Sequence, residues 1–281
     1  MNQIVDSHVH FWDPNHLKYE WLETVPPINR ALLPEDLAAA SPNFEIEKII
    51  FVQADCSPEQ GVAEAQWVTN LARQHPAVAG IVPFAPLENG PTVASHLETL
   101  SSLPLVKGVR RLIQSEPLGF AQQPKFVEGV QQLAQFGLSF DICILHPQLP
   151  DVLALVEQCP EVSFVLDHIG KPGIKDSLID RWREGIIALA GYPNVSCKLS
   201  GLVTEADHTA WTRSQLQPYI DHVLAAFSPD RIMFGSDWPV ATLASSYERW
   251  VETALAATSH LSAEDQGKIF RQNALNFYRI E

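Results

Sequence analysis

Positive charge is scarce in this chain. Nineteen Lys and Arg stand against 33 Asp and Glu over 281 residues, a formal net charge of −14. No basic run is longer than the pair Arg110-Arg111. A surface of that sign repels phosphate backbones and anionic lipid, which disfavours nucleic acid and membranes as partners. Cysteine is sparse too. Cys56, Cys143, Cys159 and Cys197 lie far apart with no C-x-x-C pair, and two of them fall in apolar runs, where a buried free thiol is the plain reading. No apolar stretch is long enough to span a bilayer, and no basic leader precedes Asp6. The expected location is the cytoplasm. A G-x-S-x-G nucleophile elbow is absent.

Apolar residues are plentiful, at 46% of the chain, enough for a sizeable core. Eight short β-branched runs recur: Gln3 to Val9, Lys48 to Ala54, Val78 to Phe84, Val106 to Ile113, Leu138 to Leu145, Val162 to Asp167, Asn194 to Leu199 and Arg231 to Ser236. Most lack strict alternation, as parallel strands covered on both faces do. Helix signals fill the gaps, with Pro or an acidic residue at starts and Gly or Pro past ends. The segments are Gly61 to His75, Phe126 to Phe136, Val152 to Gln158, Leu178 to Ala190, Leu216 to Phe227 and Ala263 to Tyr278. Eight strands alternating with helices predict an α/β fold, a (β/α)8 barrel, as one domain over residues 1–281. An open doubly wound sheet is the alternative, but the first strand ends in His-Val-His-Phe-Trp-Asp-Pro, without its glycine-rich turn. Phe11 to Pro34, with two Trp and four Pro, reads as an ordered loop over the barrel mouth.

Barrel active sites gather at the C-terminal ends of the strands. Those ends carry His8 and His10, then Gln53 and Asp55, then Arg110-Arg111, His146, Asp167-His168, Lys198 and Asp237. A closed barrel brings these dispersed residues onto one face. Residues two apart on a strand point the same way, so His8 and His10 can hold one divalent cation, with His168 and Asp237 completing the set. As a lone motif, H-x-H is more often two hydrogen-bonded histidines; the other strand ends reverse that balance. Asp237 can deprotonate water, bind metal, or do both, although Asp before Pro239 also suits a turn. Arg110 and Arg111 fall on opposite faces, so only one points inward, toward substrate or into an ion pair. Lys198 fits a substrate contact in a strand that reads as buried. Trp12, Trp21 and Trp238 fit either an apolar wall for a sugar-like ring or packing of the long loop.

Val5-Asp6-Ser7-His8-Val9-His10-Phe11-Trp12, Val165-Leu166-Asp167-His168-Ile169-Gly170-Lys171-Pro172 and Phe234-Gly235-Ser236-Asp237-Trp238-Pro239 resemble the amidohydrolase superfamily. Lys107 to Arg111 and Cys197 to Leu202 narrow the resemblance to its sugar-lactonase branch, beside L-fuconolactonases, L-rhamnonolactonases and pyrone-dicarboxylate lactonases. The resemblance covers essentially the whole chain. It implies a distorted (β/α)8 TIM barrel that opens an aldono-lactone such as L-fuconolactone. By the motifs, Asp237 is the general base, and His146 and His168 are the histidines of strands five and six. His8, His10, His168 and Asp237 hold a metal or orient substrate. Arg110 or Arg111, Lys198, Gln53, Trp12 and Trp238 contact substrate. The cofactor expected is one divalent metal, Zn²⁺ first, or none, since the branch includes metal-free members. Strand four ends in Arg110-Arg111 instead of the bridging lysine or glutamate of two-metal members, which argues against a second ion. The partner is a small-molecule lactone, and the assembly a monomer or homodimer. Metal-dependent decarboxylases of the same superfamily, pyrone-dicarboxylate lactonases and a non-catalytic sugar-acid binder are the alternatives.

Overall fold

The computed structural model describes residues 3–281. Eight parallel strands form the frame: β1 (Gln3–Val9), β2 (Glu45–Val52), β3 (Val78–Val82), β4 (Gly108–Leu112), β5 (Ser139–Cys143), β6 (Phe164–Leu166), β7 (Val195–Leu199) and β8 (Ile232–Phe234). Strands β1 to β3 pair in order, as do β4 to β8. Isolated parallel bridges join the two arcs, Ile81 to Val106 and Phe84 to Arg110 on one side and Val9 to Trp238 on the other. The ring therefore runs from β1 round to β8 and back, a distorted (β/α)8 barrel whose two seams are thin.

Helices cover the outside. The β1 connection carries α1 (Pro34–Ala40). Strands β2 to β6 are followed by α2 (Gly61–Ala72), α3 (Ala94–Ser101), α4 (Pro124–Gln132), α5 (Leu149–Gln158) and α6 (Asp180–Ala190). After β7 come α7 (Leu202–Glu205) and α8 (Arg213–Phe227), and after β8 comes α9 (Tyr247–Ala257). The final segment is α10 (Ala263–Gly267), a π-turn, and α11 (Asn273–Tyr278). The chain signals did not mark α1, α3, α7 or α9.

Two layers fill the barrel. Val5, Ile50, Val52, Val82, Val165 and Met233, drawn from both arcs, pack with Ala274, Leu275 and Tyr278 of α11. Each of the Val, Ile, Leu and Met side chains contributes roughly 1.5–3 kcal/mol by burial. Above lies an ionic layer of Arg110, Asp141, Asp167 and Lys198, all buried. One register detail positions the site. From the inward Val5, strict alternation would turn His8 outward. A register shift between Asp6 and Val9 resets the pleat, so His8 points in and Val9 joins the outer core.

Candidate functional site

The β1–β8 seam is the scaffold of the site. Asp237 N–H donates to His8 O at 2.9 Å, and His10 N–H donates to Trp238 O at 2.8 Å. Asp6 Oδ1 accepts from Ser236 N–H at 2.8 Å and from His8 N–H at 3.2 Å. The strand-eight loop is thus pinned against the H-x-H segment. Gly235 permits the fit, because a Cβ there would stand 2.7 Å from His8 Cβ.

Three imidazoles converge on one carboxylate oxygen. Asp237 Oδ1 lies 3.4 Å from His10 Nε2, 3.8 Å from His8 Nε2 and 3.9 Å from His168 Nε2. Burial works to raise the Asp237 carboxyl, but His168, His10 and His8 outweigh it and hold it below the usual range. Burial lowers the His168 imidazole to about 4, partly offset by Asp237, and lowers His8 well below its ordinary value. Burial thus works against charge on His8 and His168, and Asp237 is the group of the cluster favoured as an ion.

The far side of each ring is anchored. His10 Nδ1–H donates to Val52 O at 2.7 Å, His168 Nδ1 bonds Ser200 Oγ at 2.9 Å, and His8 Nδ1 faces Asp167 Oδ1 at 3.2 Å. A carbonyl can only accept, so His10 Nδ1 carries a proton and Nε2 is the nitrogen turned to the carboxylate oxygen. Two acceptors at that distance repel unless a proton or cation lies between them. Rings whose other nitrogen is held by a carbonyl or carboxylate are how proteins present histidine to a metal. Donor atoms of His8, His168 and Asp237 lie mutually within 4.8 Å, a set that fits one divalent ion. His8 Nε2 is contested, since Arg110 Nη1 lies 3.3 Å away.

A cavity of about 350 Å³ opens above this centre, and His10, His168, Asp237, Arg110, Asp55 and Trp21 help to line it. Eight non-glycine residues of the described chain have positive φ, and four of them, Asp55, His168, Lys171 and Asp237, face this cavity. Such backbone costs about 1–3 kcal/mol per residue and persists where surrounding structure enforces it, commonly at functional sites.

Several expected residues lie elsewhere. Arg110 points inward; its Nη1 pairs with Asp167 Oδ2 at 3.2 Å and its Nη2 donates to Gln53 O at 2.6 Å. Arg111 points outward to Glu88 and Glu116, at 3.0 and 2.6 Å, so its expected substrate contact is withdrawn. Lys198 is fully buried, 2.6 Å from Asp141 Oδ2 and 3.0 Å from Asp167 Oδ1, and holds the barrel interior together instead of meeting a ligand. His146 opens onto a separate groove with Leu149, Leu178 and Trp182, because its ring bonds the Lys171 carbonyl on the outer side. Trp12 and Trp238 sit in the core; Trp12 donates to Ile28 O at 3.2 Å, and Trp238 packs on Phe11. Trp21 faces the cavity in their place. Gln53 is buried behind it, accepting from Asp55 N–H at 2.6 Å.

Lys171, Glu205, Gln114 and Cys143 were not among the expected site residues, yet they line the cavity. Lys171 lies in the His168-Ile169-Gly170-Lys171-Pro172 motif, which was the available signal; Glu205 had none. Among the described residues no helix is long and apolar enough to cross a membrane.

A family model described as amidohydrolase matches residues 5–280. The chain is 34% identical over 272 residues to L-fucono-1,5-lactonase of Burkholderia multivorans, covering 90% of each protein. It is 24% identical over 339 residues to L-rhamnono-gamma-lactonase of Scheffersomyces stipitis, covering 99% of both. A crystal structure of an amidohydrolase from Burkholderia multivorans with bound zinc has a TM-score of 0.88 at 30% identity, covering 99% of this chain and 100% of that one.

Proposed function

The chain belongs to the amidohydrolase family, and from that premise we propose that it hydrolyses the ring ester of a neutral sugar lactone of the L-fucono-lactone kind. The observation that carries this reading is the convergence of His8, His10 and His168 on Asp237 at the floor of a cavity with no serine or cysteine elbow. Asp237 accepts a proton from water as the water attacks the lactone carbonyl. The carboxylate then returns that proton to the ring oxygen as the C–O bond breaks, giving a hydroxy acid. His10, with Nε2 3.4 Å from Oδ1, is the imidazole within reach of the Asp237 carboxylate.

Zn²⁺ is the ion we assign to His8, His168 and Asp237, and when bound it supplies positive charge to the carbonyl oxygen. Support comes from the anchored rings of His8 and His168 and from the zinc-bound relative.

Charge argues for a neutral substrate. Of the cations facing the cavity, Arg110 is already paired with Asp167, which leaves Lys171 against Asp55, Glu205 and Asp237. With the ion bound, the floor beside Asp237 would itself attract a carboxylate, so the preference for a neutral substrate rests on the wall away from it, where Asp55 and Glu205 stand against Lys171 alone.

A pH-indicator assay of the purified protein on L-fucono-, L-rhamnono-, L-galactono- and D-arabinono-lactones and pyrone dicarboxylate, with and without chelator, tests this. Acid release from a sugar lactone, abolished by chelation and restored by Zn²⁺, is expected. Release that survives exhaustive chelation removes the metal from the reading; no release from any member removes the lactonase.

A further inference from the structure

The cavity wall built by the loops after β4, β6 and β7 carries polar groups with unused hydrogen-bonding capacity. Lys171 Nζ donates to Gln114 Oε1 at 2.7 Å and stands 3.8 Å from Glu205 Oε1. The second distance is too long for a hydrogen bond. An ammonium offers three N–H donors and a carboxylate about four lone-pair sites, so both groups can serve a third partner. Both line the cavity. Lys171 is held in place by a left-handed backbone, with φ of +45°. Lys175 N–H donates to Glu205 O at 3.0 Å, tying the loop after β6 to the loop after β7.

We propose that Lys171 and Glu205, with Gln114, form a hydroxyl-reading subsite that selects lactones bearing adjacent free ring hydroxyls over bare lactones of the same ring size. The proposal rests on the lactonase reading and adds the wall that sets its specificity. A hydroxyl both donates and accepts. A facing carboxylate and ammonium satisfy both halves with charge-assisted bonds. An acidic substituent would gain Lys171 but meet Glu205 and Asp55. A bare ring would desolvate the pair without replacing its water, and that penalty is the source of discrimination.

The test compares wild type, K171M, K171R and E205Q on L-fucono-1,5-lactone and on δ-valerolactone, a six-membered lactone without hydroxyls. In K171M and E205Q the ratio of kcat/KM between the two substrates falls about 10- to 100-fold, mostly through KM. K171R keeps more of that ratio than K171M. An unaltered ratio, or an equal loss on both substrates, overturns the subsite. Failure of the lactonase reading looks different, because wild type then opens neither lactone. In that event calorimetry with L-fucose, a neutral hydroxylated ring, against tetrahydropyran decides. Preference for L-fucose that K171M loses supports the subsite; equal binding, or none, overturns it.

Discussion

A Cβ on Gly201 would stand 2.4 Å from Nδ1 of His168. The glycine also has φ of +67°, so alanine there brings both a clash and a strained backbone. His168 holds its ring through the neighbouring Ser200, at 2.9 Å. G201A should therefore displace the ring and lower kcat/KM at least tenfold, with a stability loss of about 1–2 kcal/mol. Steady-state kinetics beside a urea melt check this. Wild-type kinetics in G201A would show that the placement of His168 is immaterial.

Asp237→Asn keeps the size of the side chain and removes its charge. If Asp237 takes the proton from water, kcat falls by about 10²–10⁴ while KM changes little. Activity within a few-fold of wild type would transfer the base role to another group.

The two adjacent arginines should behave oppositely. Arg110 is buried, and its loss leaves Asp167 short of a partner. R110M should cost about 3–5 kcal/mol and abolish turnover. Arg111 sits near the surface between Glu88 and Glu116. R111M should cost about 1 kcal/mol and keep kcat/KM within twofold. Urea midpoints and kinetics on both variants make the comparison. Similar losses in both would contradict the assigned facing.

Glu64 on α2 is fully buried, its carboxylate accepting from Ala54 N–H at 3.2 Å. Burial pushes its pKa from 4.5 up to about 7, against the opposing pull of that bond. Below pH 4.5 folded and unfolded chains both hold the proton. Between 4.5 and 7 only the folded chain does, so this contribution to stability falls as pH rises and levels off above 7. The total is about 3 kcal/mol. E64Q cannot titrate there. Its urea midpoint should match wild type near pH 4.5 and exceed it at pH 8. Parallel pH curves would show that Glu64 does not titrate in that window.

Strand β1 was legible in the sequence to the residue, Gln3 to Val9, and the other seven lie within the apolar runs or overlap them. The pairing of the H-x-H segment with the Asp237 loop followed from barrel closure alone. Side-chain facing did not. Whether Lys198 meets solvent or Asp141 depends on which neighbours share the barrel interior, and strand alternation carries no information about them. Lys171 was hidden for another reason: its direction comes from a left-handed backbone that hydropathy patterns do not encode. Helix α9 had a readable start, with Ser246 accepting from Arg249 N–H at 3.2 Å and Glu248 in the first turn. Helix α3 spans only eight residues, three of them Ser or Thr, a weak signal.

Tyr278 of α11 donates to Asp141 Oδ2 at 2.7 Å. Asp141 grips Lys198, Lys198 reaches Asp167, and Asp167 meets His8. Residues from the first strand and the last helix therefore belong to one linked unit. During synthesis on the ribosome, the support beneath His8 is incomplete until residue 278 has left the exit tunnel. A chain cut after β8 would keep Arg110, Asp141, Asp167 and Lys198 and lose the Tyr278 hydroxyl that tethers Asp141, so the ionic floor beneath His8 would be present but untied.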